Sequence, residues 1–304
     1  MSSRKNFDLS SQFLSLLDPS ASSFTFQTFG EGEEKGNKTL IHVLHGSLPD
    51  LFNKLVRLNQ QAAGVFVTVN ETDGTARRAE NIIRVRAIWQ DDDEGYDGGF
   101  PLPPSLVVST SPSRFQRLWL ADGLSKEDFH SLMRTMVVEY GSDGNAKDIS
   151  RVLRLPSFYH VKSKPYPVTI VEASGKRYTR DELLQAFPAP KAFSSPEKTQ
   201  NPRPSYSSKN CGHVSSEDSF QIRGALRVID PDAYGKWLRV GMILHGAYQG
   251  DEEGLGVWIN WASSSAKFDE EEHHYKWGTF GKNDGSQIGL GTLFHLADEA
   301  LYGE

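Results

Sequence analysis

The sequence predicts an α+β domain with a mostly antiparallel sheet, followed by a small all-α domain. Its length of 304 residues is that of about two domains. In the first part, segments with alternating apolar residues and segments of helical period follow one another without the regular β–α alternation of a doubly wound fold. A stretch rich in Pro and Ser then interrupts the periodicity. We therefore predict a domain over residues 1–187, a flexible linker over 188–219 and a helical domain over 220–304.

The first domain is predicted to contain seven strands and three helices. Runs of apolar residues, many of them alternating, predict strands at 24–29, 40–44, 65–69, 82–89, 105–110, 115–120 and 167–172. Helical periodicity predicts helices over 48–60, from residue 125 and from about residue 179. Ser125 and Asp128 have the spacing of a capping box, which favours a helix start at that point.

The second domain is predicted to be helical throughout. Asp230 and Pro231 are typical of an N-cap and a first helical position, and residues 288–301 predict a final helix. Large aromatic side chains are dense in this short segment, at Trp258, Trp261, Trp277 and Phe280. Such aromatics predict a packed core more strongly than a surface on which nucleotide bases stack.

Composition and cysteine content limit the class of protein. Hydrophobic residues make up 38% and charged residues 24%, as in a globular protein. The single cysteine, Cys211, excludes a disulfide framework and a thiolate-rich zinc site, and it fits a reducing compartment. No apolar run approaches the roughly 20 residues of a membrane helix, and no signal-peptide pattern is present. We therefore expect a soluble, cytoplasmic protein without a membrane partner.

The distribution of charge is more informative than its total. A net charge of −6 argues against a protein that coats nucleic acid through bulk electrostatics. Residues 216–304 contain 7 Lys and Arg against 15 Asp and Glu, whereas the remainder contains 26 against 24. Within that remainder, residues 150–182 are locally basic. This strip indicates a defined anionic ligand, with an ordinary solvated face as the alternative.

A run of acidic residues, 91–94, follows the apolar strand predicted at 82–89. The apolar sequence of that strand predicts a position inside the sheet. Adjacent carboxylates repel one another, and alternation places Asp91 and Asp93 on one face, where a hard divalent cation would relieve the repulsion. A solvated acidic turn is the alternative, because Gly95 follows at once.

Residues 32–39 are one residue short of a phosphate-binding P-loop, with Asn37 in place of its second glycine. A P-loop leads into a helix whose N-terminus faces the phosphates, whereas the residues that follow here predict a strand. We therefore predict a hairpin loop and no ATPase or helicase motor.

The stretch 140–160 combines carboxylates with arginines. Asp143 and Asp148 follow the helix that starts at residue 125, and Arg151 and Arg154 come next. Arginine suits phosphate oxygens, and carboxylates suit the metals that bridge phosphates. Taken alone, this could be a salt-bridged loop. Together with the acidic run and the basic strip, it favours a site for nucleotidyl transfer.

Residues 64–172 resemble the catalytic domain of RepB-like plasmid replication primases, a branch of the archaeo-eukaryotic primase superfamily. Three blocks carry the resemblance, in order, at 84–93, 104–119 and 143–160. Residues 220–300 resemble the helical accessory domain that follows such catalytic domains, with the run Trp-x-x-Trp-Ala-Ser-Ser-Ser-x-Lys-Phe.

The resemblance implies a sheet of the RNA-recognition-motif type that binds two divalent metals, Mg²⁺ or Mn²⁺. The family's first acidic motif falls on Asp91 and Asp93, with the adjacent Asp92 as a further candidate ligand. The third acidic motif falls on Asp143 or Asp148, and the spacing from the preceding helix favours Asp143. The implied catalytic residues are therefore Asp91, Asp93 and Asp143.

The residues expected to bind the nucleotide or the template are polar or basic: Arg114, Gln116, Arg151, Arg154, His160 and Lys162. Many members of the family have histidine where this chain has Gln116. Because glutamine carries neither a charge nor a transferable proton, nucleotide affinity is expected to rest more on the arginines.

The implied activity is that of a nucleotidyltransferase, a DNA primase or primase-polymerase. It would make primers from nucleoside triphosphates on single-stranded DNA, for replication of a plasmid, phage or mobile element, with a separate replicative helicase as a candidate partner. Two alternatives belong to other classes. One is a non-catalytic replication initiator or origin-binding protein, and the other is a metal-dependent phosphodiesterase that uses the same carboxylates.

Overall fold

The computed structural model describes residues 3–92, 95–190, 214–232, 234–265, 267–281 and 288–302. The chain divides into two compact units, Met1–Ala189 and Pro190–Glu304. Most of the predicted linker, residues 191–213, lies outside the described residues. Among the helices described, none is long and apolar enough to cross a bilayer.

The first unit contains helices α1 (Ser3–Leu17), α2 (Leu48–Gln60), α3 (Lys126–Tyr140) and α4 (Arg180–Ala186). Its strands are β1 (Phe24–Gly30), β2 (His42–Gly46), β3 (Ala63–Thr68), β4 (Glu71–Thr72), β5 (Ile82–Arg84), β6 (Ala87–Asp92), β7 (Leu106–Ser111), β8 (Arg114–Asp122), β9 (Val152–Arg154), β10 (Tyr159–His160), β11 (Tyr166–Pro167), β12 (Thr169–Ala173) and β13 (Arg177–Thr179). The three predicted helices are present, and α1 is an addition that periodicity did not reveal.

Side-chain caps explain where α3 begins and ends. The Ser125 hydroxyl accepts from the backbone N–H of Asp128, and the Asp128 carboxylate accepts from the backbone N–H of Ser125, which completes the predicted capping box. Gly141 ends the helix in the left-handed region, at φ 66°, where glycine avoids the clash of a Cβ atom. The chain therefore turns sharply at Gly141, and the residues that follow contact β6.

Two main sheets form the α+β unit. The first has the strand order β2-β1-β3-β9 and is antiparallel throughout. In the second, β8 pairs antiparallel with β6 and with β7, β12 pairs with β7, and β13 runs parallel to β8. This arrangement confirms the predicted α+β class with mostly antiparallel strands. The short strand β9 was not predicted, because three residues are too few to show an alternation of apolar and polar side chains.

The strand predicted at 82–89 is interrupted, and its second part is an edge strand among the strands that the structure describes. β5 pairs with β4, whereas β6 pairs only with β8. The predicted position inside the sheet is therefore wrong, although β6 is buried. Its burial comes partly from α3, because the Trp89 ring lies 5.2 Å from that of Phe129 and is fully buried.

The second unit contains α5 (Ser216–Val228), α6 (Tyr234–Ala247), α7 (Glu252–Ala262), α8 (Glu270–Trp277) and α9 (Leu290–Tyr302). Asp230 caps a turn before α6 by accepting from the backbone N–H of Asp232, so the helix starts later than predicted. The tryptophans Trp237, Trp258, Trp261 and Trp277 are buried, and each indole N–H has a hydrogen-bond acceptor. Their burial agrees with the predicted core role.

Candidate active site

Asp91 lies near the end of β6, opposite Gln116 of β8. The side-chain N–H of Gln116 donates to Asp91 Oδ1 at 3.2 Å, and its Oε1 accepts from the backbone N–H of Arg154 at 3.1 Å. Gln116 is 6% exposed. It therefore connects β6, β8 and β9, and ties the second sheet to the first beside Asp91. The nucleotide-binding role that the sequence predicts for Gln116 stays a prediction beside these two bonds.

Asp143 is held against the same strand by its backbone. The N–H of Asp143 donates to the carbonyl of Asp91 at 2.9 Å, and the N–H of Asp91 donates to Ser142 Oγ at 3.0 Å. These two bonds use the free edge of β6, and the turn at Gly141 makes them reachable. Asp91 and Asp143 are therefore brought side by side from positions 52 residues apart in the chain.

Asp92 faces the other way and is held by the protein. Arg117 Nη1 lies 3.0 Å from Asp92 Oδ2, and the backbone N–H groups of Gly95 and Tyr96 donate to Oδ1 at 2.6 and 2.8 Å. Asp92 is 1% exposed. Strand alternation directs Asp92 away from Asp91, and its contacts fix the turn after β6. These contacts do not favour the metal-ligand role predicted for Asp92, which stays a prediction.

Asp148 makes local contacts. Its carboxylate accepts from Ser150 Oγ at 2.9 Å and lies 3.8 Å from the guanidinium of Arg151. Arg151 also lies 3.7 Å from the carboxylate of Asp143, so this arginine stands between the two acidic residues. Of the two candidates for the third acidic motif, Asp143 is the one that bonds to β6.

Asp93, the second residue of the predicted pair, lies outside the described residues. Within the part of the chain that the structure describes, no three His, Cys, Asp or Glu side chains gather closely enough to hold a metal ion. The described metal-ligand candidates on this face of β6 are therefore Asp91 and Asp143.

Arg154 is paired with an acidic residue that the sequence analysis missed. Glu31 Oε1 lies 2.5 Å from Arg154 Nη2, and Glu31 Oε2 accepts from Nη1 at 3.3 Å. The guanidinium also lies 4.8 Å from the centre of the Phe66 ring, and the side chain is only 12% exposed. Glu31 accepts a further bond from the backbone N–H of Val161 at 3.0 Å. No sequence pattern links Glu31 to Arg154 across 123 residues.

His160 is held in one tautomer. Its Nδ1 lies 2.9 Å from the carbonyl oxygen of Thr110, which can only accept, so Nδ1 carries the proton. Burial, followed by the charge of Arg154, lowers the pKa of His160, which favours the neutral ring. Its Nε2 is buried without a hydrogen-bond partner among the described residues. Lys162, two residues later, is exposed.

Arg114 begins β8 and approaches the turn after β6. A Cβ atom at Gly95, whose φ is +84°, would lie 3.0 Å from Arg114 Nη1. The guanidinium of Arg114 forms no salt bridge with any residue that the structure describes. Arg114 thus adds a positive charge at the end of the strand pair that carries Asp91.

Two family models match the chain and together cover more than half of it. Residues 83–186 match the RepB DNA-primase N-terminal domain, and residues 222–297 match the Primase C terminal 2 (PriCT-2) domain. No curated protein matches the chain.

Three solved structures are similar to the chain at low sequence identity. The archaeo-eukaryotic primase domain of the cyanophage S-2L primase-polymerase is 20% identical, with a TM-score of 0.49 over 60% of this chain and 97% of that one. The catalytic domain of primase RepB′ in complex with initiator DNA is 20% identical, with a TM-score of 0.44 over 59% and 92%. Primase RepB′ itself is 16% identical, with a TM-score of 0.44 over 98% and 95%.

The first family match contains Asp91, Gln116, Asp143 and Arg154, so the residues that meet at the end of β6 all belong to the primase domain. The second match accounts for the helical unit. The chain therefore belongs to the RepB-like DNA primases, which are nucleotidyltransferases, and carries a PriCT-2 domain after its primase domain.

Proposed function

We propose that the chain makes primers on single-stranded DNA from nucleoside triphosphates, with Asp91, Asp93 and Asp143 as its catalytic carboxylates. The observation that carries the proposal is the pair of backbone bonds between Asp91 and the Ser142–Asp143 segment. They hold two carboxylate-bearing residues together at the end of one buried strand. Carboxylates repel one another, and a bound divalent cation would relieve that repulsion at this position.

The donor set fits Mg²⁺ or Mn²⁺. Both ions prefer oxygen ligands, and carboxylates are the donors that the chain supplies on this face of β6. Asp93 would add a third carboxylate, since it follows Asp91 by two positions. When bound, the two metals lower the pKa of the attacking 3′-hydroxyl and neutralise charge on the pyrophosphate leaving group.

The chain's own side chains orient this site. Gln116 donates to the carboxylate of Asp91 through a neutral amide, which orients this carboxylate without neutralising it. Arg151, at 29% exposure, lies beside Asp143 and would contact a triphosphate. Arg114 and Lys162 add positive charge for the nucleotide or the template.

Arg154 and His160 differ in the charge that they bring to the site. Glu31 and Phe66 hold the Arg154 guanidinium in one place, so it contributes a fixed positive charge near the bound phosphates. Burial, followed by the charge of Arg154, lowers the pKa of His160, which favours its neutral form. The triphosphate would therefore be bound chiefly by arginines. This agrees with the uncharged Gln116, which stands where many members of the family have histidine.

The biological setting follows from the substrates. A chain that copies single-stranded DNA works beside a helicase that opens the duplex, and the sequence predicts no motor of its own. We therefore propose a separate replicative helicase as partner, the cytoplasm as location, and a plasmid, phage or other mobile element as the replicating molecule. The helical unit would position the initiating nucleotide or a replication partner.

Template-directed incorporation of labelled nucleotides tests the proposal. Asp143→Asn is expected to abolish synthesis, whereas Asp148→Asn is expected to retain it, because Asp143 alone of the two bonds to β6. Asp8→Asn, at an exposed position on α1, is the control for loss of one charge. Equal activity of the Asp143 and Asp148 variants would contradict the assignment. A protein that binds DNA without incorporation, or one that shortens DNA, would instead be an initiator or a phosphodiesterase.

A further inference from the structure

The solvent side of α3 carries a row of basic side chains. Lys126, His130 and Arg134 follow one another at four-residue intervals, so they lie on one face of the helix about 6 Å apart along its axis. Lys126 and His130 are exposed, and Arg134 is half-buried.

A fourth basic residue joins this row from the next loop. Lys147 lies on the segment between Asp143 and Asp148, and its pKa is lowered by burial and then by the charge of Arg134. The pKa of His130 is lowered by partial burial of its ring, and then by Arg134, despite the exposure of the residue. Geometry places His130, Arg134 and Lys147 together. His130 and Arg134 are one helical turn apart on α3. The Trp89 ring lies 5.2 Å from that of Phe129 on this helix, and the Trp89 indole N–H donates to the carbonyl of Ala146, the residue before Lys147, at 2.7 Å. We call Lys126, Arg134 and Lys147 the cationic face; His130 lies within this row, and its lowered pKa favours the neutral ring.

Two acidic residues, Glu127 and Asp128, lie in the first turn of the same helix. Asp128 is paired with Arg180, whose Nε lies 2.7 Å from its carboxylate. Glu127 lies on this side of the helix. Its negative charge raises the pKa of His130, but burial and the charge of Arg134 together lower it by more. Among the described residues, neither Lys126 nor Lys147 has a salt-bridge partner. Gathering like charges costs free energy, and an anionic ligand would offset that cost.

We propose that the cationic face binds the phosphodiester backbone of the template strand. This inference rests on the proposed function and extends it from the reacting groups to the track of the DNA. The loop that carries Lys147 also carries Asp143, whose backbone bonds to Asp91. A strand that follows α3 toward its C-terminal end therefore arrives at the catalytic carboxylates.

The geometry fits a linear polyanion better than a single phosphate. A single phosphate is typically held by several donors that converge on one point, whereas these cations are spread along about 12 Å of helix. Lysines with flexible stems contact phosphates as point charges and carry no base specificity. A template-copying enzyme needs such contacts, since it must accept any sequence.

Equilibrium binding of a fluorescein-labelled oligothymidylate to the full chain, without metal or nucleotide, tests the proposal. K126Q/K147Q is expected to bind about tenfold more weakly at low salt. The slope of log Kd against log salt should fall by about 1.4, which is about 0.7 for each phosphate of single-stranded DNA that a lysine no longer neutralises. K126R/K147R keeps both charges and should bind as the parent chain does.

The matched control is K54Q/R57Q, which removes two exposed charges from α2. The proposal is overturned if the oligonucleotide binds K126Q/K147Q as tightly as the parent chain, or if the control variant loses as much affinity. The exposed K126Q single variant, expected to show about half of the change in slope, serves if the double variant does not fold. Because the assay involves no catalysis, a chain that shows these binding differences but makes no primers would refute the proposed function and not this surface.

Discussion

Two carboxylates in the α+β unit, those of Asp18 and Asp91, accept hydrogen bonds from different kinds of partner. In the first, Asp18 Oδ2 accepts from Arg84 Nη2 at 2.5 Å and from Arg86 Nε at 2.7 Å, while Ser20 bonds to Oδ1. In the second, Asp91 accepts from the neutral amide of Gln116. The side chains of Asp18 and Arg86 are 2% and 3% exposed, so this pair is closed to solvent.

The difference separates a structural carboxylate from the proposed catalytic one. Burial raises the pKa of Asp18, but the hydrogen bonds of Ser20 and the charge of Arg86 outweigh it and lower the pKa to about 2. Both oxygens of the Asp18 carboxylate already accept hydrogen bonds, so this carboxylate is not available to a metal ion. Asp92 repeats the structural pattern one residue from Asp91, because it is bonded by Arg117 and by two backbone N–H groups. The two faces of β6 therefore contain one carboxylate of each kind.

The largest expected effect is loss of synthesis in Asp91→Asn without loss of the fold. Asparagine still offers Gln116 an acceptor, and it removes a charge beside Asp143, so the free energy of unfolding should change by less than about 1 kcal/mol. Synthesis should fall by about a thousandfold or more, since about 4 kcal/mol of charge stabilisation is lost. Urea unfolding and primer synthesis measured on one preparation check both values. A variant that is active, or inactive only because it is unfolded, would break the comparison.

Asp18→Asn is expected to show the reverse. It leaves Arg86 buried beside a neutral partner, which should lower the free energy of unfolding by about 3–5 kcal/mol. Synthesis per folded molecule should be unchanged at low temperature. Asp73→Asn is the control, because Asp73 has a comparably low pKa of about 2 but neutral partners, Asn81 and Thr75, and should destabilise far less. Similar destabilisation by both variants would show that the arginine pair is unimportant.

Acid should weaken the Asp18 cluster within a defined range. The pKa of Asp18 is about 2 in the folded chain against 3.8 for the ordinary group, so its contribution is fully present above about pH 4. That contribution, about 2 kcal/mol, is lost as the pH falls through 2. The free energy of unfolding, measured against pH for the parent chain and Asp18→Asn, should therefore converge as the pH falls. Parallel curves would contradict the lowered pKa.

Local patterns were enough to predict most of the fold but only part of the site. Alternation along β6 separates Asp91 from Asp92, and the capping box at Ser125 locates α3, because both depend on residues close in sequence. Residue types in the stretch 140–160 indicated both Asp143 and Asp148, and the resemblance to a known family, with the spacing from α3, favoured Asp143. The Glu31–Arg154 pair and the bridging amide of Gln116 could not be predicted, because they depend on how two sheets meet. The edge position of β6 could not be predicted either, because its sequence is as apolar as that of an interior strand.

The smallest expected effect concerns Gln116, and its control lies on the opposite face of the same strand pair. Gln116→Met removes the bonds to Asp91 and to the backbone of Arg154. Gln90→Met also removes two bonds of a buried amide, those to Tyr140 and Arg117. Each variant should lose about 1–3 kcal/mol of unfolding free energy, since each leaves polar groups unsatisfied.

Their activities should differ although their stabilities are similar. Gln116→Met frees the carboxylate of Asp91 from its amide, and a misplaced ligand should slow synthesis by about tenfold, or about 1.4 kcal/mol. Gln90→Met leaves Asp91 in place and should keep parental activity per folded molecule. The measurement is kcat for extension of a preformed primer at a temperature where both variants are folded. If the two variants lose activity equally, Gln116 acts through stability alone, and the neutral partner of Asp91 has no part in positioning it.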